Sequence, residues 1–164
     1  MRYHLKTSLF IYLISFLYSA QSIGFGVNIN GNLITTPPEC ILNNNQKEMI
    51  HFGDILLSRI DGANYKHNLS LELTCTNLIK NNLTLSIQGD ASNFSNGILK
   101  TSNTKLGLVF YINGVKQDIN KKINVKYLEL PSLEVSPVKN TSSSFDDTDG
   151  GDFTALATLN VDYQ

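Results

Sequence analysis

Two cysteines, three histidines and one acidic run are the side chains best able to do chemistry in this sequence. Cys40 and Cys75 are far from C-x-x-C spacing and have no histidine pair beside them, so neither a redox pair nor a four-ligand zinc site is indicated. His4 falls in the apolar N-terminal region, and His51 and His67 stand alone, which suits surface or structural roles. Asp146-Asp147-Thr148-Asp149-Gly150-Gly151-Asp152 has the look of a calcium loop. It lacks the twelve-residue frame closed by a glutamate, so an acidic turn before a strand is the better reading. Gly24-Phe25-Gly26 is followed by no Gly-Lys-Ser/Thr and opens no helix, so it is not a phosphate loop. No G-x-S-x-G nucleophile elbow occurs. We therefore expect no catalytic residue, no metal site and no cofactor, and a protein that is not an enzyme and takes no small-molecule substrate.

The elements that surround these residues say more. Arg2, His4 and Lys6 precede an apolar run from Thr7 to Tyr18, and small residues follow at Ser19, Ala20 and Ser22. Basic, apolar, small is the order of a secretory signal peptide, and twelve apolar residues fall short of the roughly 20 that span a bilayer. Cleavage after Ser22 puts small residues at both recognition positions and leaves 142 of the 164 residues, one domain's worth. It also removes Arg2 and Lys6, so 11 basic residues face 14 acidic ones for a net charge of −3. A weakly acidic domain has no electrostatic footprint for nucleic acid. Export through an oxidising compartment makes one disulfide the expected state of Cys40 and Cys75.

The mature chain reads as β throughout. Phe25, Val27, Ile29, Gly31 and Leu33 alternate with Gly26 and three asparagines, a period-2 strand that ends at Pro37-Pro38. Further strands are expected over 49–57, 69–76, 83–88, 106–112 and 123–130. Asp61-Gly62, Asn81-Asn82, Gly89-Asp90, Asn96-Gly97 and Asn113-Gly114 are expected turns, the last the best hairpin signal. A polar stretch from Lys139 leads to the clearest alternation: Phe153, Ala155, Ala157, Leu159, Val161 and Tyr163 on one face, up to Gln164. Short strands with regular turns favour an all-β sandwich. The strongest strands thus lie at the two ends. Pattern alone leaves two arrangements open: the ends pair inside one closed sandwich, or each pairs with another polypeptide.

Here the residues resemble a family. VNINGNLITTPPECILNN, IHFGD, IDGANYK, LELTC and GGDFTALATLNVDYQ are similar to the corresponding pieces of the minor pilins of P-type and type 1 chaperone–usher fimbriae. The first and last pieces are the specific ones. The resemblance implies an incomplete immunoglobulin-like sandwich that lacks its last strand and is completed by donor-strand complementation. It implies three parts: residues 1–22 as signal peptide, 23–36 as donor-strand extension and 37–164 as the pilin domain. Phe25, Val27, Ile29 and Leu33 would enter a neighbouring subunit's groove, with Gly31 where that groove leaves no room for a side chain. Burying four such side chains is worth roughly 6–12 kcal/mol before ordering costs. Phe153, Ala155, Ala157, Leu159, Val161 and Tyr163 would line the chain's own groove, Gly150 or Gly151 would start that strand, and the carboxylate of Gln164 would be clamped by a periplasmic chaperone. Cys40 and Cys75 would be the family disulfide.

The implied partners are the periplasmic chaperone, the outer-membrane usher and neighbouring pilins, and the implied destination is the cell-surface fimbrium. One domain leaves no room for a separate receptor-binding domain, which favours an adaptor between adhesin and shaft, or a shaft subunit, over a glycan-binding adhesin; the resemblance to minor pilins points to the adaptor. A secreted immunoglobulin-like binding module is the alternative kept open by four N-x-S/T sequons, at Asn68, Asn82, Asn93 and Asn140.

Overall fold

The computed structural model describes residues 24–33 and 36–163, and its contacts define two units, Met1–Ile34 and Thr35–Gln164. The signal-peptide reading of residues 1–22 lies outside the described residues, as does the assignment made for Gln164. Among the described residues no helix is long and apolar enough to cross a membrane.

Of the first unit, residues 24–33 are described. They carry no ladder hydrogen bonds, so the strand expected there is not formed. Their apolar side chains are exposed, Ile29 and Leu33 to 90%. Alternation alone does not make a strand, because the backbone N–H and C=O groups need a neighbouring edge.

The second unit is all β apart from short 3-10 turns. β1 (Glu39–Leu42) pairs with β3 (Leu73–Thr76), with Cys40 opposite Cys75. A larger sheet runs in the order β2 (His67–Leu69), β10 (Leu133–Lys139), β7 (Leu106–Ile112), β6 (Ser95–Lys100), β5 (Ala91–Ser92), with β8 (Val115–Gln117) also on β7. A third sheet places β4 (Asn82–Gln88) between β11 (Thr158–Tyr163) and β9 (Ile123–Lys126). All pairings are antiparallel.

β7 reads LGLVFYI, a continuous apolar run of the kind that suits a strand covered on both faces, and its first five residues are buried. It sits between β10 and β6, where Leu108 and Phe110 join Ile87, Leu99, Ile119, Leu133 and Val135 in the core. Asn113 and Gly114 both take positive φ (51° and 76°), so the hairpin to β8 is the primed turn that Asn-Gly favours. Gly107 is needed for a different reason: a Cβ there would collide with the side chain of Ile98 and approach the Leu99 carbonyl at 3.0 Å.

Several sequence expectations are corrected. Asn96-Gly97 is not a turn; it lies within β6, and the turn falls at Asn93-Phe94. The run 69–76 is interrupted, β2 ending at Leu69 and β3 starting at Leu73. The run 123–130 pairs only to Lys126, then closes a tight bridge to Glu129. Residues 49–56 form no strand: Gly53 takes φ 65° and breaks the extension, and a 3-10 turn begins at Leu57. β10 is a strand that sequence reasoning missed, because Pro137 argues against a central position. The carbonyl of Pro137 accepts the Gly62 N–H at 3.1 Å on the side of β2, whose pairing has already ended at His67. The missing N–H therefore falls where no ladder donor is required.

Candidate functional site: an open apolar groove

The C-terminal alternation is only half strand. β11 begins at Thr158, opposite Gln88, because β4 stops there and the chain turns through Gly89-Asp90. Residues 152–157 therefore have no strand to pair with and run free of the ladder along the mouth of a cavity. β11 is an edge strand: β4 occupies one side, and no described strand pairs with the other.

That cavity is a trough of about 1440 Å3. Its floor is the core itself: Ile87, Leu99, Leu106, Leu108, Phe110 and Leu133. One wall is the irregular segment from Leu42 to Asp54, the other the segment from Asp149 to Leu159. These floor side chains are buried, yet no described strand covers them on this side: the trough is bounded by two walls that do not pair with each other.

Local chemistry holds each wall in place. Asn43, Asn44 and Asn45 take φ of 45°, 51° and 58°, a left-handed run that asparagine tolerates better than most residues. It diverts the chain out of β1 and into the wall. The Asn43 amide behaves like an extra rung, its Oδ1 accepting the Glu72 N–H at 2.7 Å and its Nδ2 donating to the Ser70 carbonyl at 2.8 Å. The Glu48 carboxylate accepts the Ser70 N–H at 3.1 Å. On the other wall Ser102 N donates to the Thr154 carbonyl at 2.8 Å, and Thr154 N donates to Ser102 Oγ at 3.0 Å. Phe52 and Phe153, one from each wall, approach with ring centroids 5.9 Å apart, and Phe52 meets His67 edge-on at 5.0 Å.

The expected groove residues separate into two sets. Phe153, Ala155, Ala157 and Leu159 line the trough, together with Gly150 and Gly151. Val161 and Tyr163 continue β11 beyond the lining, opposite Leu85 and Leu83. Of the glycine pair, Gly151 is the one at positive φ (128°); neither starts the ladder. The facing wall, residues 46–54, was missed as a groove element. Its one sequence signal was the apolar set Met49, Ile50 and Phe52, read there as an ordinary strand.

The acidic run turns its charge on itself. Asp146 Oδ1 accepts the Thr148 N–H at 2.8 Å, and Asp149 Oδ2 accepts the Asp146 N–H at 2.7 Å. Lys105 Nζ lies 2.7 Å from the Asp149 carboxylate, and Asn103 Nδ2 donates to the Asp149 carbonyl at 3.0 Å. The Lys105 ammonium holds the Asp149 carboxyl below its usual range, and the Thr148 hydroxyl and N–H do the same for Asp146. Among the described residues no cluster of His, Cys, Asp or Glu is arranged to hold a metal. Cys40 and Cys75 form the disulfide, tying the start of the second unit to the end of β3.

An all-β sandwich with a trough along one side of its core is the class of fold these contacts define. The sequence model of the family described as Fimbrial protein matches residues 27–164, and the chain belongs to that family. Two fimbrial-like proteins of Escherichia coli K12 are similar along most of their length. YfcQ is 26% identical, with 84% of this chain and 86% of YfcQ covered. YfcR is 29% identical, with 80% of this chain and 77% of YfcR covered. Both carry the description "uncharacterized". Among solved structures, the P pilus rod subunit PapA superposes with a TM-score of 0.62 at 21% identity, covering 76% of this chain and 99% of PapA. The P pilus adaptor subunit PapF gives 0.56 at 21% identity, covering 76% of this chain and 95% of PapF. A subunit of a chaperone–usher pilus, from a structure addressing rod uncoiling, gives 0.58 at 20%, covering 88% of this chain and all of that subunit. The fold is that of chaperone–usher pilins, and the family is one of structural proteins of fimbriae.

Proposed function

We propose that this chain is a structural subunit of a chaperone–usher fimbria that assembles by donor-strand exchange, as an adaptor near the tip. The observation that carries the reading is the pairing of two features in one chain. The groove lies open beside the unpaired outer edge of β11, and residues 24–33 are an exposed alternating segment with no ladder partner. The groove lacks what the extension offers.

In this reading residues 23–36 are the donor extension and 37–164 the pilin domain. A strand from a periplasmic chaperone first fills the trough beside Phe153, Ala155, Ala157 and Leu159. A neighbour's extension replaces it at the outer membrane, pairing with the β11 edge. This is β-augmentation: backbone hydrogen bonds supply affinity and alternate side chains supply specificity. Phe25, Val27, Ile29 and Leu33 perform the same service for the next subunit, with Gly31 at its closest backbone approach. The adaptor assignment rests on the resemblance to minor pilins.

The test is deletion of residues 23–32 behind an intact leader. The truncated chain should accumulate in the periplasm with the chaperone and be absent from, or terminal in, sheared fimbriae. Normal incorporation would overturn donor-strand exchange. Immunogold labelling confined to fimbrial tips supports the adaptor role, whereas labelling along the shaft refutes it.

A further inference from the structure

The exposed large apolar side chains of residues 36–163 fall into two groups. Met49 and Leu156 line the groove, Leu56 adjoins its wall, and Tyr163 ends the β11 edge. The other group is Ile79, Val115 and Leu128, exposed to 66%, 70% and 76%, with Ile41 partly exposed at 38%. The groove does not account for this second group.

The strand registers place it at one end of the sandwich. Glu39 pairs with Thr76, so β1 starts where β3 ends, and Ile79 lies in the loop just beyond. Asn82 pairs with Lys126, and the Tyr127 N–H donates to the Asn81 carbonyl at 2.9 Å, which sets Leu128 beside that loop. The Cys75 N–H donates to the Tyr127 hydroxyl at 3.3 Å, joining the same turn to the disulfide strand. Ile112 and Asn113 line a small cavity with Asn82 and Lys126, which brings the β7–β8 hairpin, with Val115, to this end as well.

This is the end at which the chain enters β1 from the extension. Between Leu33 and Glu39 there are six residue steps, a reach of roughly 20 Å at full extension, and two of the linking residues are prolines. A neighbour holding residues 24–33 is therefore bound by chain length to lie close to Glu39. We propose that Ile79, Val115 and Leu128 form a second, body-to-body interface with the neighbouring pilin that receives this chain's extension. The inference rests on the donor-strand reading and adds a surface that reading does not require. Contact there would limit rotation about the linker and set the angle between successive subunits.

The experiment introduces a photo-crosslinking amino acid, one position at a time, at Val27, Leu128 and the exposed β6 residue Asn96 in fimbriae assembled on cells. After irradiation, adducts are identified by mass spectrometry. We expect pilin adducts from Val27 and from Leu128, and none above background from Asn96. A pilin adduct from Val27 without one from Leu128 overturns the interface and leaves donor-strand exchange standing. No pilin adduct from Val27 overturns the reading beneath it, and the interface with it. An adduct from Leu128 to a protein outside the pilin family also refutes the proposal. Because Leu128 is exposed, the replacement should not disturb folding; Ile79→Asp with Leu128→Asp, read as a broader distribution of inter-subunit angles in electron micrographs, provides a second measure. An unchanged distribution counts against the interface.

Discussion

Replacing Ile29 by alanine isolates the assembly step from folding. Ile29 is 90% exposed in this chain, so its own domain should not register the change. In a neighbour's groove the same side chain would be buried, and losing it removes roughly 1.5–3 kcal/mol of apolar burial. At 1.4 kcal/mol per decade this is between about tenfold and about a hundredfold in the affinity of the strand for the groove. Asn30 supplies the control, because alternate positions of a strand face opposite ways and Asn30→Ala should be tolerated. The assay is the ratio of subunit in sheared fimbriae to subunit in the periplasm, by quantitative immunoblot, with the thermal midpoint of the purified chaperone complex measured alongside. Ile29→Ala should lower the ratio and leave the midpoint unchanged. Equal effects of Ile29→Ala and Asn30→Ala would refute the period-2 insertion. A lowered midpoint for Ile29→Ala would refute the claim that this residue serves only the neighbour.

Three further outcomes are expected. Cys40→Ser with Cys75→Ser opens a loop spanning 35 residues of sequence and should cost roughly 3–4 kcal/mol, read as a lower urea midpoint of the chaperone complex; an unchanged midpoint contradicts it. Gly107→Ala forces a methyl group against Ile98 and Leu99 in the core and should destabilise by about 1–3 kcal/mol in the same measurement, whereas Gly114→Ala meets no nearby atom and tests only the positive φ of the turn. The Asp149 and Asp146 carboxyls are held below their unfolded values, so their contribution is full above the ordinary carboxylate range and disappears as pH falls through the lowered folded values. Asp149→Asn should therefore flatten the acid limb of a stability–pH profile and leave stability unaltered once the pH lies below the lowered folded range, and an unaltered acid limb would refute the role of the Lys105 pair.

Those elements in which pattern and environment agree were legible in the sequence. Leu106–Ile112 is an apolar run whose first five residues are buried between β10 and β6, and Asn113-Gly114 closes its hairpin by turn chemistry alone. The all-β class followed from the same local signals, and the disulfide from the leader-like N-terminal pattern that implies an oxidising compartment. β10 was illegible because its proline is tolerated only through a non-local fact, the early end of β2. The strand expected over 25–33 and the first part, 153–157, of the one expected over 153–163 have the right alternation but no neighbouring edge, and the presence of an edge is a property of the assembly of strands, not of the segment. The far wall of the groove was hidden for a related reason: three left-handed asparagines and Gly53 steer residues 46–54 by backbone geometry, which apolar periodicity does not report.

The unpaired side of β11 also bears on how the cell must make this protein. If assembly proceeds by the strand exchange proposed above, a free β edge next to a 1440 Å3 trough would also accept other extended chains of roughly suitable pattern, the exposed residues 24–33 of another copy among them. Synthesis faster than the supply of a capping strand would therefore convert the surplus into chance oligomers. On that reading the open edge would tie production of this subunit to the ratio between it and whatever covers that edge, more tightly than to its absolute amount.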